Sequence, residues 1–99
     1  MLIAKVQIND REYKVVTTRH AEQRMNQRHI DKYLIAGNII ALGSEKLERL
    51  QSEWEEAIII DKEKGFSMVI AFYPNQIKLV TVIDKTNVFV KSKTAVEVI

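Results

Sequence analysis

Thr17-Thr18-Arg19-His20-Ala21-Glu22-Gln23-Arg24-Met25-Asn26-Gln27-Arg28-His29-Ile30 decides how the rest of the chain is read. It starts as a strand ends, and its two threonines offer a helix cap. A helix over about 19–28 sets His20, Arg24 and Arg28 four residues apart, stacked along one face with Gln23, Gln27 and Asp31. Ala21 and Met25 fall on the other side and can pack inward. The expected helix has a thin apolar stripe and a broad cationic, hydrogen-bonding face. Basic charge beside one titratable imidazole suits an anionic ligand such as RNA.

Toward the N-terminus, Leu2 to Ile8 alternates apolar and polar residues, Asn9-Asp10 signals a turn, and Tyr13-Lys14-Val15-Val16 resumes extended preference. This reads as a β-hairpin with a polar tip. Toward the C-terminus, Asp31 is a good N-cap for a second helix, with Ile30 placed to close against Ile35 as a staple. Leu34, Ile35, Ile39, Ile40 and Leu42 make that helix strongly apolar and therefore the buried one. Gly37 inside it is expected to mark close packing against a neighbour. Gly43 suits the helix end, and Ser44 can cap again. Glu45 to Trp54 is either a short third helix, with Leu47, Leu50 and Trp54 on one face, or a loop with one helical turn.

From Glu55 the period changes. Ala57-Ile58-Ile59-Ile60 is a short β-branched run, and Asp61 to Gly65 is a turn. In the strand Phe66 to Tyr73, Phe66, Met68, Ile70 and Phe72 share one face. After Pro74-Asn75, the strand Gln76 to Ile83 is expected to set Ile77, Leu79, Thr81 and Ile83 on one side, with Lys78, Val80 and Val82 on the other. Short connections favour an antiparallel meander. Val88-Phe89-Val90 reads as an edge strand, and Lys91 to Ile99 as a tail or a last strand. The class is α+β: an N-terminal hairpin, two or three helices, then a three- to four-stranded antiparallel sheet with helices on one face.

The 99 residues are those of one domain, 46% apolar and 28% charged, as in a soluble globular protein. No stretch reaches the apolar length of a membrane span, and the start of the chain lacks a signal-peptide plan. There are no cysteines, which excludes disulfides and thiolate metal sites and fits a cytoplasmic location. Two histidines without an acidic cluster argue against a metal site, and no cofactor is expected. The net charge of +2 is unevenly spread. Residues 18–32 hold Arg19, Arg24, Arg28 and Lys32 against Glu22 and Asp31, whereas residues 44–63 hold seven acids against Lys46, Arg49 and Lys62. Such a dipolar chain can offer one face to a polyanion.

The string Arg19-His20-Ala21-Glu22-Gln23-Arg24-Met25-Asn26-Gln27-Arg28-His29-Ile30-Asp31 resembles the RHA-x-x-RM-x-x-RGI-[SD] signature of small bacterial and phage domains. Those domains are grouped with RelE/ParE- and BrnT-like toxins, in the wider barnase–colicin–RelE set of ribonuclease folds. Leu79-Val80-Thr81-Val82-Ile83 also looks like that family's closing strand, so the resemblance covers about residues 17–83 of a single RelE/ParE-like domain. One departure is His29, which stands where the family has glycine. The resemblance implies a metal-independent ribonuclease from a toxin–antitoxin or phage system. Its partners would be RNA, free or ribosome-associated, and an antitoxin or a host protein.

Cleavage of RNA by its own 2′-oxygen needs a group to take a proton, a group to return one, and cations on the phosphorane. His20 suits the proton work, Arg24 and Arg28 the planar recognition of phosphate oxygens, and Thr81 a further donor from the sheet. Arg19, Gln27 and Lys85 are candidate substrate contacts. The same residues have structural roles open to them: His20 can cap or bridge at the helix start, the arginines can pair with Glu22, Asp31 or the acidic block, and Thr81 can sit in the core. Two functions therefore compete, a toxin-like ribonuclease and a catalytically inactive binding module of the same fold. Non-cleaving DNA binding is a third, with no helix-turn-helix signal to promote it.

Overall fold

The computed structural model describes every residue except Asn9, Phe89 and Ser92, and Ile8 by its backbone only. The elements run β1 (Leu2–Ile8), β2 (Arg11–Thr17), α1 (Arg19–Gln27), α2 (Lys32–Leu42), α3 (Ser44–Glu53), β3 (Glu56–Asp61), β4 (Phe66–Tyr73), β5 (Gln76–Ile83) and β6 (Thr94–Val98). The α+β class stands. The sheet differs from expectation: the described strands form one mixed sheet in the order β1-β2-β5-β4-β3-β6. β1–β2, β3–β4 and β4–β5 are antiparallel pairs. β2–β5 and β3–β6 are parallel.

Each parallel pair has a physical cause that spacing does not reveal. β1 satisfies only one edge of β2, and Val15 on β2 is fully buried, as are Ile77 and Leu79 nearly so on β5. Pairing Val15 with Ile77 and Thr17 with Leu79 satisfies the second edge and joins the hairpin to the meander. The connection this requires runs through the three helices, β3 and β4. β3 lies inside the sheet, between β4 and β6, and Ile58, Ile59 and Ile60 are all buried. Pairing with β6 satisfies the edge of β3 that β4 leaves open. Of the sequence Lys91 to Ile99, Thr94–Val98 is thus a strand. Val88 and Val90 lie outside any strand, while the Phe89 part of that expected edge strand, like Asn9 of the hairpin turn, lies outside the described residues.

The helices pack over one face of this sheet. Ala21 and Met25 of α1, Ile35, Ile39 and Leu42 of α2, and Leu47 and Leu50 of α3 join Val15, Ile59, Met68, Ile70 and Leu79 in one core. Asp31 caps α2 by accepting from the Tyr33 amide at 2.7 Å. Gly43 at φ 84° ends α2 and opens α3 directly, so Ser44 is the first residue of α3 and not a cap. Trp54 leaves α3 in extended backbone, 37% exposed, so only Leu47 and Leu50 of the expected apolar face point inward. Ile40 is likewise turned out, at 62% exposure. Gly37 has open space where a Cβ would stand and is exposed. It marks no close packing, contrary to expectation.

Candidate nucleic-acid interface

The exposed face of α1 depends on how the helix is held. Thr18 Oγ1 accepts from the Ala21 amide at 2.9 Å and donates to the Val80 carbonyl at 3.1 Å. The Thr18 amide also donates to the Leu79 carbonyl at 3.1 Å. One threonine therefore caps the helix and pins its start to β5. At the other end, Arg28 Nη1 meets Asp84 Oδ2 at 3.3 Å, just beyond β5. The helical rise from Thr18 to Arg28 is about 15 Å, and β5 from Val80 to Asp84 advances about 13 Å. α1 thus runs alongside β5 in the same direction, with Ala21 and Met25 facing the core.

The end of α1 explains His29. The Ile30 amide donates to the Met25 carbonyl at 2.9 Å, and the His29 amide to the Asn26 carbonyl at 3.4 Å. Those two bonds make a Schellman motif, which requires a left-handed residue between them. His29 supplies it at φ 56°. Histidine tolerates this region better than β-branched residues do, but its Cβ still costs energy that glycine would not.

With its ends held, α1 turns Arg19, His20, Gln23 and Gln27 to solvent, and Arg24 lies half-buried among them. His20 makes no hydrogen bond or ion pair among the described residues, so its imidazole is open to a ligand. Arg24 Nη1 donates to Gln27 Oε1 at 3.4 Å, which steadies the guanidinium while leaving most of its donors free. Arg28 is more committed. Its Nη1 is on Asp84, its side chain is 30% exposed, and its Nε is sealed with no partner among the described residues. Its actual partner is neither Glu22, Asp31 nor the acidic block. Members of that block are occupied elsewhere: Asp61 accepts from Asn38 Nδ2 at 3.1 Å and from the Lys64 amide at 2.9 Å.

Lys85 is exposed and follows Asp84, so it stands near the Arg28 end of α1. Its carbonyl accepts from Ser67 Oγ at 2.8 Å. Thr81 does not join this group. The β4–β5 register shifts between Val69 and Ile70, pairing Val69 with Thr81 but Ile70 with Leu79. The extra residue, Val80, reverses the alternation that the sequence pattern implies. Val82, 2% exposed opposite Met68, takes the core position. Thr81 and Ile83 turn with Val69 and Ser67 to the sheet face away from α1. The expected sharing of a face by Ile77, Leu79, Thr81 and Ile83 is corrected by this bulge, and Thr81 Oγ1 makes only a 3.4 Å contact to the Val82 carbonyl.

Two residues of this region have roles that the sequence does not show in full. Thr18 is legible as a cap, but its anchorage on Val80 depends on a residue far along the chain. Asp84 reads only as one acid among basic neighbours. A hollow of about 780 Å³ opens at the α2–α3 junction, lined by Leu42, Gly43, Lys46 and Arg49 among others, and takes no residue from α1. Comparison with protein-family models, with curated proteins and with solved structures finds no match.

Proposed function

We propose that α1 is an RNA-binding face and that the protein is a toxin-like, metal-independent ribonuclease of the RelE/BrnT type, cytoplasmic and restrained by an antitoxin. The observation that carries this reading is the open imidazole of His20, one helical turn from Arg24, on a helix clamped at both ends to β5. Two further features support it. The α+β class is the one that the α1 motif implies, although the six-stranded mixed sheet departs from its three- to four-stranded antiparallel plan. The left-handed conformation of His29 is what a glycine at that motif position would supply.

The chemistry follows from the groups present. His20 takes the proton of a ribose 2′-hydroxyl as the oxygen attacks phosphorus. The bond from phosphorus to the 5′-oxygen breaks, that oxygen receives a proton from the imidazolium, and a 2′,3′-cyclic phosphate remains. Arg24 binds the non-bridging oxygens in a planar fork as their charge grows. Arg19, Gln27 and Lys85 bind neighbouring phosphates, and Arg28 adds its charge where it can release Asp84.

A second reading, an inactive binding module of the same fold, is favoured by two observations: Thr81 faces away from α1, and Arg28 is held by Asp84. Induced expression in a bacterial host separates the two. The ribonuclease reading expects growth arrest by the wild type and none by His20→Ala or Arg24→Ala. It also expects cleavage of purified RNA in the presence of a chelator. RNA retention without cleavage or toxicity would select the binding module.

A further inference from the structure

The two edges of the sheet are built differently. β1, at one edge, has a register irregularity between Leu2 and Ala4, and carries exposed Lys5, paired with Glu12 at 3.9 Å. A bulge and a charge are the usual protections of an edge strand. β6, at the other edge, has no register shift against β3 and no charge on its open face. Val96 is 44% exposed and Val98 50%. Its one charged residue, Glu97, is drawn to the opposite face, where Lys46 and Arg49 each approach it to 3.2 Å and its side chain is 16% exposed.

The backbone of β6 is equally open. The Ile99 amide donates to the Ile60 carbonyl at 2.9 Å, in the parallel register that sets Ile60 beside Val98. A parallel ladder uses alternate residues, so Ala95, Glu97 and Ile99 direct their backbone groups at β3. Thr94, Val96 and Val98 direct theirs outward. The Thr94 amide is already used on the Lys91 carbonyl at 3.1 Å. The amides of Val96 and Val98 and the carbonyls of Thr94 and Val96 have no partner among the described residues.

We propose that β6 pairs antiparallel with β6 of a second copy of this chain, about a two-fold axis at Val96. In this register each Val96 amide donates to the Val96 carbonyl of the other copy. Each Val98 amide donates to the other copy's Thr94 carbonyl, so the already occupied Thr94 amide is not needed. The exposed side chains also match. Val96 meets Val96, and Thr94 meets Val98, which are favourable cross-strand pairs. Glu97 lies opposite Ala95, so the two carboxylates are not opposed and each keeps its Lys46 and Arg49 partners. An isologous contact of this kind closes on itself and leaves the α1 faces of both copies free. A pair of five-residue strands buries less than the roughly 1,200–2,000 Å² of a standard interface. The dimer is therefore weak and reversible.

Sedimentation equilibrium over a concentration series tests this with the full chain. The wild type is expected to move from the 11.5 kDa chain mass toward twice that value as concentration rises. Val96→Lys, which sets two charges against each other at the axis, is expected to stay at the single-chain mass. Val96→Thr, neutral and β-branched, is expected to dimerise as the wild type does, which shows that the lysine acts through charge rather than through loss of fold. Hydrogen exchange at the Val96 and Val98 amides is expected to slow as the dimer forms. A wild type that stays monomeric at every concentration overturns the proposal. So does a dimer that persists in Val96→Lys, or exchange at Val96 that is already slow in the monomer.

Discussion

α1 and α2 follow one another in the chain and both begin with a well-formed side-chain cap, yet they are held in opposite ways. α2 buries Ile35, Ala36, Asn38, Ile39 and Leu42, and its position follows from that apolar contact. α1 buries only Ala21 and Met25. What fixes it is a set of polar tethers at its ends: Thr18 on Leu79 and Val80, the Schellman bonds at His29 and Ile30, and Arg28 on Asp84. The difference shows how a small domain keeps one helix face open. Burial is assigned to one helix, and the other is held at its ends, so that its central turns are free to meet a ligand.

The comparison is tested most severely in α2. Ile39→Ala, at a position with no solvent exposure, is expected to cost about 2–5 kcal/mol in urea unfolding. An effect well under 1 kcal/mol would mean that α2 is not held by burial. Thr18→Ala comes next. Loss of the cap alone costs about 1 kcal/mol, and the Val80 carbonyl also loses its donor. Hydrogen exchange should rise mainly in the first turn of α1, and RNA binding should weaken with it; uniform loosening of the whole molecule would contradict the tether.

Two stabilising changes sharpen the contrast further. Gly37→Ala in α2 adds a Cβ where nothing stands within 4 Å, and is expected to raise stability by about 0.8–1 kcal/mol. His29→Gly at the end of α1 relieves a left-handed strain of about 1–2 kcal/mol but adds glycine's unfolded-state freedom, about 0.5–1 kcal/mol. The expected gain is smaller and is read from the same unfolding curves. If His29→Gly is neutral while Gly37→Ala stabilises, the strain at His29 is offset by its neighbours. The smallest effect on stability is expected for Asp84→Asn. Asp84 itself is exposed and Arg28 half-buried, and pairs open to solvent on one side are worth about 0.2–1 kcal/mol. The same change releases Arg28, so RNA affinity should increase and its salt dependence steepen, as measured by filter binding across a salt series. Unchanged RNA binding would remove Arg28 from the interface.

Legibility followed the range of the interactions involved. The Asp31 cap, the break at Gly43, the inward Leu47 and Leu50, and the facing of Phe66, Met68 and Ile70 all rest on contacts within a turn or two, or on alternation within one strand. Thr81 was misplaced because alternation assumes an unbroken ladder, and one extra residue at Val80 reverses it. Gly37 was misread because glycine inside a helix has the same local pattern whether a neighbour approaches or not.

The candidate face divides in the same way. The order of residues alone placed His20 and Arg24 one turn apart on α1, because a helical repeat is a local property; Arg28, expected on the same face, is instead the C-cap of a helix that ends at Gln27. Only the assembled fold decided that Asp84 holds Arg28, that Val80 anchors Thr18, and that β2 and β6 lie parallel to β5 and β3. Each of these joins residues far apart in the chain, and the partner is selected by which backbone and charged groups remain unsatisfied once the core has closed.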